Sequence, residues 1–179
     1  GDSILIFGSG PVGLSFCRFA KLLGMKWVGV VDPLPVKRQK AEQFGADQTF
    51  TPDSPELKNL TARRGAPLDA VIDAVGSQAI INAGLPLIKL AGSICVYGVV
   101  GTPSILVEKD TGPYNFNLFM HQLPTRTAES AAQAPLIEWI RAGLLSHKDF
   151  LTAEYPLREA AKALKATEAP DAIKTLLRF

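Results

Sequence analysis

The sequence predicts an α/β fold: a doubly wound parallel sheet of about six strands, followed by an incomplete C-terminal lobe. Three observations carry that expectation. Short apolar runs alternate with longer helical patterns, the mark of parallel strands joined by crossover helices. Proline and glycine punctuate the alternation, with Pro11 where a helix begins and Gly24 and Gly45 where helices should end. Hydrophobic residues make up 47% of the 179, against 20% charged, which is enough apolar material for a packed core and excludes disorder as the default state.

In chain order, the strand candidates are Ser3 to Phe7, Trp27 to Val31, Asp47 to Phe50, Ala70 to Ile72 with its flanks, and Ser93 to Tyr97. Helical patterns lie between them at Pro11 to Leu23, Val36 to Phe44, Ser54 to Arg64 and Ser77 to Leu90, the last expected to kink or split at Pro86. After Gly101 the rhythm changes. Ser104 to Val107, bounded by Pro103 and by Gly112 and Pro113, reads as an edge strand within a loop, and Gln122 to Arg126 as a sixth strand. Two amphipathic helices, around Ala134 to Ala142 and Leu157 to Lys165, and a β-like run at Ile173 to Leu177 complete the chain. The expected division is a sheet domain over residues 1–126 and a second, partial lobe over 127–179. The chain opens just before its first strand with no leader or cap, which reads as a piece of something longer.

Charge and cysteine usage narrow the possible functions. With 19 Lys and Arg against 17 Asp and Glu, the net charge is +2, and no run of five like charges occurs, so nucleic acid and membrane surfaces are not expected partners. Cys17 and Cys95 lie far apart in apolar runs and match neither a disulfide framework nor metal-ligand spacing. Buried, reduced thiols and a soluble cytoplasmic setting are expected. His121 and His147 are too distant in sequence to form a local metal site.

The most informative residues are Gly8, Gly10 and Gly13, spaced G-x-G-x-x-G as GSGPVG, after the first strand and at the opening of a helix that carries Pro11 and Val12. Gly8 permits a tight turn, Gly10 lets the backbone approach a pyrophosphate, and Gly13 lets the helix pack on the strand so that its N-terminus faces the anion. Asp32 closes the second strand nineteen residues after Gly13, where a carboxylate can accept hydrogen bonds from both ribose hydroxyls of an adenosine. Ala74 and Val75 end the fourth strand, and Gly98 and Val99 follow the fifth. Both pairs lie at carboxyl ends of parallel strands, where open sheets bind ligands. Such a Rossmann opening also serves flavoproteins and S-adenosylmethionine methyltransferases. A non-catalytic nucleotide-binding module is a further alternative.

Five segments in order, GDSILIFGSGPVGLSFCRFAKLLG, VVDPLPVKRQKAEQFGADQTF, LDAVIDAVG, GSICVYGVVG and AIKTLLRF, resemble the cofactor-binding region of the zinc-type medium-chain alcohol and polyol dehydrogenases. The resemblance spans essentially the whole chain. It implies an NAD-dependent oxidoreductase part, with hydride passing between nicotinamide and a small alcohol or carbonyl substrate. Zinc would be held only in a substrate domain absent from this sequence, so the chain alone is expected to be inactive. By the same resemblance Asp32 is the ribose acid and Lys37 a basic residue reaching that ribose, while Lys37 and Arg38 read otherwise as a solvated helix start. Backbone near Gly98, Val99 and Leu123 to Thr125 would hold the nicotinamide carboxamide, and Lys174 would meet the pyrophosphate. The family extends its sheet across a two-fold axis at the Ser104 to Val107 run, which implies a homodimer there. Thr102 to Met120 is longer and more polar than the family pattern.

Overall fold

A computed structural model describes residues 2–121 and 123–179. They fall into two compact units that meet in sequence between Leu123 and Pro124. The first unit is a six-stranded sheet. Its first strand, β1 (Ser3–Phe7), is buried at every position, as an interior parallel strand covered on both faces must be. It is followed by α1 (Pro11–Leu22), β2 (Trp27–Val31), α2 (Pro35–Gln43), β3 (Gln48–Phe50), α3 (Pro55–Lys58), α4 (Leu60–Arg64), β4 (Leu68–Asp73), α5 (Gln78–Gly84), β5 (Ile88–Val96) and β6 (Asn117–Met120).

The strand order is β3-β2-β1-β4-β5-β6, with every pairing parallel. Chain direction reverses its progress across the sheet at β1 and β4, the position where such folds open a crevice. The register decides what stands at that crevice. Phe7 pairs with both Val31 and Asp73, and Asp73 with Val96. The residues just after these strands therefore emerge side by side on one edge. Leu5, Val31, Val71, Leu85 and Ile94 fill the core beneath them.

Several expectations change in detail. The helix expected over Ser54 to Arg64 is two short helices. Ser54 caps α3 through its Oγ, which accepts from Leu57 N at 3.2 Å, and the chain leaves helical geometry at Asn59. Pro86 does split the next helix: α5 ends at Gly84, a 3-10 turn spans Leu85–Leu87, and β5 starts at Ile88, earlier than expected.

The Ser104 to Val107 run is not a strand: side chains hold Leu106, and the Val107 carbonyl accepts from Lys109 N at 3.0 Å. Leu106 N donates to Gln78 Oε1 at 2.7 Å, Asn82 Nδ2 to Leu106 O at 3.1 Å, and Glu108 N to Asn82 Oδ1 at 3.0 Å. The sixth strand lies at Asn117–Met120 rather than at 122–126. Gln122 is outside the described residues, Pro124 has no N–H for a ladder, and Thr125 instead caps the next helix by accepting from Ala128 N at 3.3 Å.

The second unit contains α6 (Arg126–Arg141), β7 (Leu151–Pro156), α7 (Ala160–Ala166) and β8 (Lys174–Arg178). β7 and β8 pair in parallel, and α7 packs on both. Strand β7 was not expected from the sequence, although its burial alternates as a one-sided strand should. Helix α6 starts well before Ala134 and carries Pro135 in its interior. No helix among the described residues is long and apolar enough to cross a membrane.

Candidate functional site

The turn after β1 is built on three glycines with three different duties. Gly8 sits at φ +91°, and its N–H donates to the Val31 carbonyl at 2.8 Å, tying the loop to the end of β2. At Gly13 a Cβ would lie 1.8 Å from the Gly8 carbonyl oxygen, so no other residue lets α1 approach the loop this closely. At Gly10 a Cβ would meet nothing within 4 Å. Open space therefore stands before the N-terminus of α1, where Gly10 is the N-cap, Pro11 opens the helix, and Val12 and Gly13 belong to the first turn. That turn has no acidic residue and no side-chain cap, leaving the positive end of the dipole to an incoming anion.

Asp32 follows β2 and is 7% exposed. Its Oδ2 accepts from Ser9 N at 2.9 Å and from Ser9 Oγ at 2.8 Å, and its Oδ1 accepts from Leu34 N at 2.9 Å. The carboxylate thus ties the glycine loop to the start of α2. Arg38 works on the backbone of the same segment: its Nη1 donates to Asp32 O at 2.7 Å and to Pro33 O at 3.0 Å. Asp32 and Lys37 both line a cavity of about 860 Å³ that runs from Gly8 and Val75 to the apolar floor of Leu57 and Leu87.

A residue not singled out in the sequence organises the neighbouring loop. Asp73, fully buried at the end of β4, accepts from Val75 N at 2.9 Å and Gly76 N at 2.7 Å on Oδ1, and from Ser77 N at 2.8 Å on Oδ2. It folds Ala74, Val75 and Gly76 back toward the strand end. Its backbone carbonyl takes the N–H groups of Tyr97 and Gly98 at 2.9 and 3.0 Å. Gly98 is packed so closely on the Val75–Gly76 peptide that a Cβ would sit 2.1 Å from Gly76 N. Val75 and Val99 remain exposed at this edge. The available signal was the DAVGS segment, an Asp placed to cap the N–H groups that follow it.

Lys174 opens β8 in the second unit and is exposed; Pro124 and Thr125 also belong to that unit, and the remaining expected site residues to the first. His121 is exposed after β6, and His147 is exposed in the second unit. Among the described residues no three His, Cys, Asp or Glu side chains gather as a metal seat. Cys17 is fully buried, and burial, with a smaller push from Asp47, raises its thiol to about 12. At neutral pH it is a protonated core residue.

The profile of the family described as zinc-binding dehydrogenase matches residues 11–133. The chain belongs to that family, whose profile describes the Rossmann-like cofactor-binding domain of zinc-type medium-chain dehydrogenases. The starvation-sensing protein RspB of Escherichia coli K12 is 25% identical over 99% of this chain and 52% of its own length. The short chain alcohol dehydrogenase (rspB) of E. coli CFT073, solved with NADH, superposes with a TM-score of 0.83 at 24% identity, over 100% of this chain and 52% of that one. A Sinorhizobium meliloti 1021 chain assigned to the zinc-binding dehydrogenases and solved with NADP gives a TM-score of 0.80 at 20% identity, over 99% and 52%. These structural likenesses show the fold. The chain spans about half the length of the curated relatives it matches.

Proposed function

We propose that this chain holds NAD for an oxidoreductase that interconverts a small alcohol and its carbonyl compound. The observation that carries the reading is the buried Asp32 carboxylate on the wall of the same cavity as Gly8, beside the open N-terminus of α1. The residues suit a dinucleotide. The first turn of α1, around Val12 and Gly13, takes the pyrophosphate, with Gly10 leaving room for its oxygens. Asp32 and Lys37 meet the adenosine ribose, and Ala74 and Val75 flank the adenosine half. Backbone at Gly98 and Val99 orients the nicotinamide end. Lys174 is assigned to the pyrophosphate by its place in AIKTLLRF.

When bound, the nicotinamide supplies the hydride acceptor or donor for an alcohol carbon. Among the described residues no three His, Cys, Asp or Glu side chains gather, and the family resemblance assigns zinc to a separate substrate domain. Asp32 also argues for NAD over NADP, since its charge repels a 2′-phosphate, although relatives of this fold are solved with either cofactor. The working division is residues 1–126 for the dinucleotide and 127–179 for part of a substrate lobe, in a cytoplasmic enzyme.

We also assign the Ser104 to Val107 run to a homodimer contact. Gln78 and Asn82 hold the Leu106 N–H and carbonyl of this segment, and the resemblance to a family that extends its sheet across a two-fold axis at this run supports the reading. Titration calorimetry with NAD and NADP tests the cofactor reading. NAD should bind at least about tenfold tighter, a difference of ~1.4 kcal/mol. Equal affinity, or heat from S-adenosylmethionine or a flavin instead, would remove it.

A further inference from the structure

Ser9 stands in the x position of the glycine loop, fully buried, and directs both of its donors at one oxygen of Asp32. An ionised carboxylate has about four acceptor sites, two on each oxygen. Ser9 N and Ser9 Oγ take both sites on Oδ2, at 2.9 and 2.8 Å, and Leu34 N takes one on Oδ1 at 2.9 Å. One acceptor site is left, on Oδ1. Its place at the end of the second strand predicts two ribose hydroxyls on this carboxylate, and its remaining acceptor sites have room for one.

We propose that Ser9 is a specificity-determining residue: by saturating Asp32 Oδ2 it makes the carboxylate read a single ribose hydroxyl through Oδ1. This rests on the reading of Asp32 as the ribose acid. The two contacts from Ser9 differ in kind, which makes the role separable from folding. The N–H bond belongs to the backbone and survives substitution, while the Oγ–H bond is lost in Ser9→Ala and frees one site on Oδ2. Arg38 and Gly8 secure the same segments through backbone groups and do not depend on the serine hydroxyl.

The test is titration calorimetry of the full chain with NAD and with its adenosine 2′-deoxy and 3′-deoxy analogues. The titrations are made in a Lys37→Ala background, which removes the other charged group assigned to the ribose. There, deletion of one hydroxyl should weaken binding by about tenfold or more, and deletion of the other by no more than about threefold, since only the first loses a bond to a charged group. With Ser9→Ala added, the second hydroxyl should begin to matter, its deletion costing at least about fivefold. Comparable losses from both deletions in Lys37→Ala would overturn the proposal, as would a Ser9→Ala double variant in which the second hydroxyl stays silent. If the double variant does not fold, the Lys37→Ala comparison decides alone. If the wild type binds no NAD, the reading of Asp32 itself fails, and this inference fails with it.

Discussion

Gly10 and Gly13 stand three residues apart and answer to different constraints. A Cβ at Gly13 would collide with the Gly8 carbonyl, whereas one at Gly10 would enter open space. Gly13→Ala should therefore destabilise the fold by roughly 1–3 kcal/mol or more, as overpacking does, and lower the melting temperature by several degrees. Gly10→Ala should melt almost as the wild type yet bind NAD at least about tenfold more weakly, because the methyl occupies the approach of the pyrophosphate. Calorimetric melting and NAD titration on the two variants separate these outcomes. Around Asp32 the two cations also part ways. Arg38 is committed to the carbonyls of Asp32 and Pro33, while Lys37 lines the cavity. Asp32→Gly should weaken NAD and strengthen NADP. Adding Lys37→Ala should cancel the gain for NADP, and adding Arg38→Ala should weaken both cofactors by loosening the segment after β2. A gain that survives loss of Lys37 would count against this assignment.

At the scale of elements, a carboxylate ties three strands together at the end of the sheet opposite the cavity. Asp69 of β4 pairs with Lys89 of β5 and accepts from Ser3 N at 2.7 Å and Ser3 Oγ at 2.9 Å on β1, so three adjacent strands converge on it. The bond from Lys89, ahead of those from Ser3, holds its carboxyl down to about 2, against an ordinary value of about 3.9. A lowered folded-state value means the contribution is fully present above about pH 4 and is lost as pH falls through about 2. Melting curves should show acid destabilisation in that window, and Asp69→Asn should be less stable at neutral pH but flatter across it. An unchanged acid limb in the variant would assign the loss to other carboxylates. The extended segment at Ser104 to Val107 supplies a second test of this kind. Val107→Pro deletes a backbone N–H of this run, and light scattering should show the mass shift toward monomer. An unchanged mass would place any self-association elsewhere.

For the molecule as a whole, the described residues gather no metal-ligand cluster, and the chain covers about half of the length of its relatives. The chain is expected to retain no stoichiometric zinc and to oxidise no alcohol when purified alone, while still binding NAD. Elemental analysis finding one tightly held zinc per chain would contradict this. The order of strands and helices in the first unit was legible because each element is announced locally: burial on both faces makes a parallel strand a continuous apolar run, and proline and glycine mark its ends. In the second unit β7 has only one covered face, so its alternation was weak beside the helical pattern that follows it. The sixth strand lies at Asn117–Met120 instead of at QLPTR, where Thr125 caps the start of α6.

The sequence by itself determined the fold class, the glycine loop and the acid at the end of the second strand, since all three follow from periodicity and from backbone conformations that few residues can adopt. Only the tertiary structure decided what those residues touch. Ser9 reaches Asp32 across 23 positions, Gln78 reaches Leu106 across 28, and the role of Asp73 depends on the loop after β5 closing against Gly76. Such contacts join residues that no local pattern relates. They form when the parallel register brings strand ends to one edge, and the buried polar groups gathered there must find partners among one another or remain unpaired.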